Sequence, residues 1–313
     1  MKIVVLEPIG IAKEKITAIA ESTLDARYEL VCYDTKITDV PGLIERAKDS
    51  DVLVIANMKL EQAVVEACPN LKLISVAFTG VDHIPMSYCK EKGIMVCNCA
   101  GYSNTAVSEL VFGMALSLYR YLLPCDKATH EGGTRVGMIG REICGKKFGI
   151  IGAGAIGLRT AALAKAFGCE VYAYSRTKKE IDGVQFVDLD TLMSICDIIS
   201  VHVPLNDSTK GLIGKEQIAK MKKTAILINT ARGPVVDSTA LADALNSGAI
   251  AGAGIDVFET EPPIAEDHVL LHTPNTVVAP HIGFATKEAL EIRAQMVFDN
   301  IKAWNDGAPI NVM

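Results

Sequence analysis

Apolar residues along most of this chain gather in short unbroken runs, each bounded by turn formers or charged residues. Five such runs precede residue 100, at 3–6, 28–32, 52–56, 71–76 and 94–97. Six more follow residue 145, at 148–151, 171–174, 198–203, 225–228, 254–257 and 277–279. Helix-forming segments lie between them. Strands covered on both faces read as continuous apolar runs, and their alternation with helices predicts βαβ units in parallel sheets. The expected class is therefore α/β.

Two longer helical stretches stand apart from this alternation. Residues 104–121 form an apolar helix behind the capping residues Ser103, Asn104 and Thr105, and it is expected to end near Pro124. It is the natural hinge between the two sets of strands. Residues 287–304 predict a second long helix, which could return to the first set.

Only the second set carries a glycine fingerprint. Residues 148–157 read Phe-Gly-Ile-Ile-Gly-Ala-Gly-Ala-Ile-Gly, a strand running through Gly152, Gly154 and Gly157 into a helix. In a strand-to-helix turn Gly152 makes the bend, Gly154 lets the backbone approach a pyrophosphate, and Gly157 lets helix and strand pack closely. Ala155 and Ile156 open the helix, whose unpaired N–H groups and positive dipole end favour an anion. Residues 100–285 are thus expected to be a Rossmann-type dinucleotide-binding domain, and 1–99 with 286–313 a second domain.

The next strand, 170–174, is followed by Ser175, Arg176, Thr177, Lys178 and Lys179. An NAD-specific site has an acidic residue here, to accept from the ribose 2′-hydroxyl. Ser175 occupies that place. Arg176 could grip a 2′-phosphate with its planar fork, and Lys178 or Lys179 could add charge, which points to NADP. A solvated basic turn on an NAD protein is the other reading, so NAD stays open.

Composition narrows the class further. A chain of 313 residues can hold two domains with full cores, and 22% charged residues is ordinary for a globular protein. A formal net charge of −6 provides no basic field for nucleic acid or an anionic membrane. Met1 and Lys2 precede only a brief apolar strand, and no run reaches membrane-spanning length, so neither a signal peptide nor a membrane span is expected. Nine cysteines without a C-x-x-C pair suggest reduced, buried thiols in a cytoplasmic protein. Cys97 and Cys99 lack a matching histidine cluster, so no metal site is expected.

Charged residues just past late strands are the candidates for chemistry, because open parallel sheets bind ligands at the carboxyl ends of their strands. Arg232, after the strand 225–228, could hold a carboxylate bidentately, or could be an ordinary charge at a strand end. His281 ends another strand beside Gly283, and Glu261 could be its partner. A carboxylate beside an imidazole favours the imidazolium, the form that acts as a general acid. Asp256 faces the same edge and could accept from a nicotinamide carboxamide or simply cap its loop. His202 reads mainly as a packing residue beside the cofactor.

These stretches carry a specific resemblance. The glycine fingerprint, INTARGPVVD (228–237), GIDVFETEPP (254–263) and APHIGFAT (279–286), in this order and spacing, are similar to the D-isomer-specific 2-hydroxyacid dehydrogenase family. Residues 78–82 (FTGVD) and 104–110 (NTAVSEL) extend the match over essentially the whole chain. The resemblance implies a Rossmann doubly wound parallel sheet inserted into a flavodoxin-like substrate domain, with homodimers pairing through the nucleotide domains. It implies that Arg232 holds the substrate carboxylate together with the backbone of Thr79 and Gly80, that His281 is the acid/base and that Glu261 is its partner. Asp256 would touch the nicotinamide amide, and Val203, Pro204, Thr209, Thr230 and Gly283 would complete the cofactor groove. The activity implied is hydride transfer from NADPH, with NAD possible, to a small 2-oxo acid, giving the D-2-hydroxy acid.

Two departures from the family pattern stand out. The aromatic residue that commonly precedes the nucleotide domain is missing from 132–137, and Asn57-Met58-Lys59 stands where phosphoglycerate-using members tend to carry arginine. Two alternatives share the scaffold: formate- or phosphite-type dehydrogenases, with Glu261 counting against the formate type, whose pattern lacks that glutamate, and NAD(P)-sensing corepressor-like proteins.

Overall fold

The computed structural model describes residues 1–25, 27–177 and 180–313. The chain divides into two compact units, Met1–Ser103 with Ala285–Met313, and Asn104–Phe284. The second is thus inserted into the first along the chain.

In the first unit, strands β1 (Lys2–Val5), β2 (Glu29–Cys32), β3 (Val52–Ile55), β4 (Leu73–Val76) and β5 (Met95–Cys97) alternate with helices α1 (Lys13–Thr23), α2 (Val40–Ala47), α3 (Gln62–Glu66) and α4 (Met86–Lys92). The sheet is wholly parallel in the order β2-β1-β3-β4-β5, the flavodoxin-like doubly wound arrangement. β3 and β4 are buried along their full length, which explains why they read as unbroken apolar runs. The chain's last helix, Lys287–Asn305, belongs to this unit: Arg293 donates to the Ile9 carbonyl at 2.6 Å, and Asn300 donates to the Asn98 carbonyl at 2.8 Å.

The inserted unit opens with α5 (Asn104–Tyr119) and α6 (Leu122–His130). Pro124 does not end a helix as expected. The break comes earlier, at Tyr121 (φ 51°), and α6 leaves at 60° to α5 with Pro124 in its first turn, where a missing N–H leaves no bond unmade. No single helix among the described residues is long and apolar enough to cross a membrane.

Then follow β6 (Lys147–Ile151), α7 (Ala155–Ala166), β7 (Glu170–Tyr174), β8 (Val184–Phe186), α8 (Leu189–Ile195), β9 (Ile198–Val201), α9 (Lys215–Ala219), β10 (Ile226–Asn229), α10 (Ser238–Asn246), β11 (Gly252–Ile255) and β12 (Thr276–Val278). The seven strands are parallel in the order β12-β11-β10-β9-β6-β7-β8. This is the Rossmann order, reversing direction between β6 and β9. β8 went unread in the sequence because Val-Gln-Phe is only three residues long, half exposed and paired on one side only.

The sheet is packed on both faces. Phe148, Ile150, Ile198, Ile226 and Ile228 point to the layer that holds Phe112 and Met114 of α5, while Ile151, Ile199, Val201 and Leu227 point to the layer of α8 and α10. Phe112 stacks on Phe148 at 5.5 Å and on Phe167 at 4.8 Å between ring centroids. The nine cysteines are unbridged, but not all are buried: Cys144 is exposed, and Cys32, Cys125 and Cys169 are half-buried. Burial pushes the Cys99 and Cys196 thiols up to about 12, so these two are inert at neutral pH.

Candidate active site

Because every strand of the inserted unit runs the same way, the carboxyl ends line one edge. In sheet order that edge carries His281 after β12, Asp256 after β11, Arg232 after β10, His202 and Val203 after β9, the glycine loop after β6, and Ser175 to Thr177 after β7. Five strand spacings cover about 24 Å.

The glycine loop sits where the strand order reverses, and its three glycines have three different physical reasons. Gly152 has φ 106°, and a Cβ there would fall 2.8 Å from the His202 carbonyl. A Cβ on Gly157 would fall 2.0 Å from the Gly152 oxygen. Gly154 meets nothing within 4 Å, so the fold itself does not demand glycine there. It is also the N-cap of α7 without a side-chain cap, whereas Asp188 caps α8 and Asp237 caps α10. Ala155 is exposed and Ile156 half-buried at this bare helix start. The Thr230 hydroxyl is buried without a hydrogen-bond partner among the described residues. An open approach at Gly154, an uncapped helix N-terminus and an unpaired buried hydroxyl fit a dinucleotide.

Past β7, Ser175 is half-buried and Arg176 and Thr177 are exposed; Lys178 and Lys179 lie outside the described residues. His202 is tucked against Ser200, Nε2 to Oγ 2.9 Å, and burial pushes its imidazole well below its ordinary range, so it is neutral. Val203 is half-buried and Pro204 exposed. Thr209 is turned inward: its hydroxyl donates to the Pro204 carbonyl at 2.6 Å and accepts the Asn206 N–H at 2.9 Å. That side chain braces the 204–209 loop.

Past β10, the turn that presents Arg232 is shaped by Asn229, a residue the sequence reading passed over. Its side chain donates to the Arg232 carbonyl at 2.9 Å and accepts the Ala231 N–H at 3.0 Å. The polar residue closing an apolar strand was the available signal. Arg232 Nη1 donates to the Ala231 carbonyl at 2.8 Å, which holds the half-buried guanidinium near its own backbone.

His281 and Glu261 are brought together. Nδ1 of His281 lies 2.9 and 2.8 Å from the two Glu261 carboxylate oxygens, and the imidazole is 9% exposed. His281 has φ 57°, an uncommon left-handed conformation for a non-glycine residue. Asp256 holds it there. Its carboxylate accepts the N–H of Ile282 at 2.7 Å and that of Gly283 at 2.8 Å, and its carbonyl accepts the N–H of His281 at 2.8 Å. Of the two expectations for Asp256, capping the loop is the one the contacts display. Burial pushes its carboxyl up to about 6, against the pull of those two donors. Phe284, unremarked in the sequence, meets the imidazole edge-on at 5.3 Å.

Thr79 and Gly80 belong to the other unit, just past β4. Asn98 donates to the Thr79 carbonyl at 2.7 Å, and the Thr79 hydroxyl is buried without a partner among the described residues. In the same unit Glu7 is buried and accepts the N–H groups of Ala56 and Met58, fixing the turn that carries Asn57. Lys59 is paired with Glu61 at 2.8 Å.

Comparison with known proteins agrees with this architecture. Residues 112–283 match the family model described as D-isomer specific 2-hydroxyacid dehydrogenase, NAD binding domain. The hydroxypyruvate reductase of Blautia hydrogenotrophica is 36% identical over 303 residues, covering 93% of each chain. Among solved structures, the acyclic imino acid reductase Bsp5 in complex with NADPH and D-Arg superposes with a TM-score of 0.90 at 30% identity over the whole of both chains. The D-lactate dehydrogenase of Aquifex aeolicus, complexed with NAD and lactic acid, superposes at 0.85 and 31% identity, over 98% of this chain and 96% of that one. A glycine-loop Rossmann sheet with a histidine–glutamate pair at its edge, matched in sequence along nearly all its length, belongs to the D-isomer specific 2-hydroxyacid dehydrogenase family.

Proposed function

We propose that this protein reduces a small 2-oxo acid to the D-2-hydroxy acid with a nicotinamide cofactor, NADPH in preference to NADH, and that His281 is the general acid. The observation that carries this reading is the order of groups along one sheet edge: a paired imidazole, a guanidinium, a bare glycine loop and a turn free of acidic residues at 175–177. A dinucleotide laid along that edge has its reactive ring at the His281 end and its ribose at Arg176.

When bound, the reduced cofactor supplies the hydride that the carbonyl carbon accepts. The chain's own residues do the rest. Arg232 binds the substrate carboxylate with its planar fork and so presents one carbonyl face. Glu261 accepts a hydrogen bond from the Nδ1–H, which orients the ring and leaves the Nε2 proton as the one that passes to the carbonyl oxygen. Asp256 keeps that ring in its turn. The Thr230 hydroxyl and the N–H groups of Ala155 and Ile156 would hold the cofactor, and Arg176 would meet a 2′-phosphate.

Arg176 and the absence of a carboxylate at Ser175 support NADPH. A homodimer is part of the same reading. Val136 and Ile139 are 87% and 79% exposed on the segment between α6 and β6, and Leu122 and Leu123 are exposed on α6. Four such side chains close together in sequence suit a surface covered by a second copy.

The test is a panel of glyoxylate, hydroxypyruvate, pyruvate and bulkier 2-oxo acids, each with NADPH and with NADH. Turnover of at least one, faster with NADPH and yielding the D product, is the expected result. Silence across the panel with cofactor still bound contradicts the enzyme reading and favours a nucleotide sensor.

A further inference from the structure

The loop that carries Glu261 to His281 is tied at its base. Nε2 of His268 lies 2.8 Å from Oε2 of Glu259, and Oγ of Ser238 donates to Oε1 of the same carboxylate at 2.6 Å. Ser238 is the first residue of α10, so Glu259 joins both ends of the 259–268 loop to a helix packed on the sheet. The tautomer follows from the contacts. Nδ1 of His268 accepts the Leu270 N–H at 3.3 Å, so Nε2 carries the hydrogen and donates it to Glu259. Phe258 meets the His268 ring edge-on at 5.0 Å. Burial works to raise the Glu259 carboxyl, but the hydrogen bonds from Ser238 and His268 outweigh it and hold the group below its ordinary value.

The same stretch touches the turn of Arg232. A Cβ on Gly233 would fall 2.0 Å from the Phe258 carbonyl carbon and 2.6 Å from the Glu259 nitrogen, so the Arg232–Gly233 turn rests directly on that peptide. The Glu259 side chain is 43% exposed, and a polar pair that open to water adds little stability. What the pair does supply is geometry.

We infer that Glu259 and His268 are positioning residues for the reaction: by closing the 259–268 loop they set Glu261 against His281. The inference rests on the reading of His281 as the general acid and adds that Glu261 reaches its place only through this second histidine–carboxylate pair.

A double-mutant cycle on the full-length chain tests it, using NADPH and whichever of glyoxylate, hydroxypyruvate and pyruvate is reduced fastest. His268→Ala is expected to lower kcat roughly 10- to 100-fold, the scale of a small misplacement of catalytic groups. His268→Gln, which keeps an N–H donor, should restore most of it. In a Glu261→Gln background His268→Ala should then cost almost nothing, because the residue through which it acts is already disabled. Ser238→Ala serves as the second variant should His268→Ala not fold, with the same expected loss of effect in the Glu261→Gln background.

Effects that multiply in the double variants, or wild-type kcat in His268→Ala and Ser238→Ala, overturn the positioning role while leaving His281 in place. The reading beneath it fails separately, and takes this inference with it, when His281→Ala keeps the wild-type rate.

Discussion

The carboxylate of Asp256 receives the backbone N–H of Gly283 at 2.8 Å, and with its other oxygen that of Ile282 at 2.7 Å. Asp256 therefore reaches the proposed chemistry through the backbone: it stabilises the left-handed turn that begins at His281 (φ 57°) and so aims the imidazole at Glu261. A buried acid in this role leaves a pH signature.

The Asp256 carboxyl stands at about 6 in the folded chain, above its ordinary 3.8, chiefly because it is buried. A carboxyl raised by folding binds its proton more tightly in the native state. Its contribution to stability is full below about pH 4 and is lost as pH rises through 6. Urea unfolding of wild type and Asp256→Asn at pH 4.5 and 7.5 isolates this group, since other titrations cancel in the difference. The difference should favour wild type more at pH 4.5; a difference independent of pH contradicts the assignment.

Gly154 and Gly157 look alike in sequence and should respond oppositely to alanine. Gly154→Ala meets nothing within 4 Å, so the melting temperature should hold while affinity for the cofactor drops. Gly157→Ala places a methyl 2.0 Å from a backbone oxygen and should cost about 3 kcal/mol or more of stability. Thermal melts beside cofactor titrations distinguish the two, and equal loss of stability in both variants would count against the open approach at Gly154.

Arg176 is exposed at the end of the edge where a ribose would lie. Arg176→Ala should raise KM for NADPH about tenfold, the loss of one charge-assisted contact, with KM for NADH nearly unchanged. Equal effects on both cofactors would remove Arg176 from 2′-phosphate recognition.

The exposed side chains between α6 and β6 offer a simple assay of assembly. Val136→Asp combined with Ile139→Asp places two charges where the second copy is proposed to sit, and light scattering should register monomers in place of dimers. A variant that remains dimeric puts the interface elsewhere.

Much of this fold was legible because parallel strands covered on both faces leave unbroken apolar runs, and eleven of them mark strands that the structure contains. The short edge strand β8 left no such run, and Pro124 misled because a proline in a helix's first turn is harmless. The candidate site was legible as positions past strand ends, since that is where a Rossmann edge presents its side chains. Its supports were not. Asn229 and Phe284 act through contacts inside their own turns, which no periodicity marks, Glu259 and His268 meet only once their loop closes against Ser238, and the inward turn of Thr209 depends on a hydroxyl choosing its own loop.

The most direct measurement is the turnover of His281→Ala in 2-oxo acid reduction, taken alongside its dissociation constant for NADPH. Removal of a general acid should lower kcat by roughly 10²–10⁴ with cofactor affinity close to wild type. Near wild-type kcat in that variant would contradict the assignment of His281 as the proton donor.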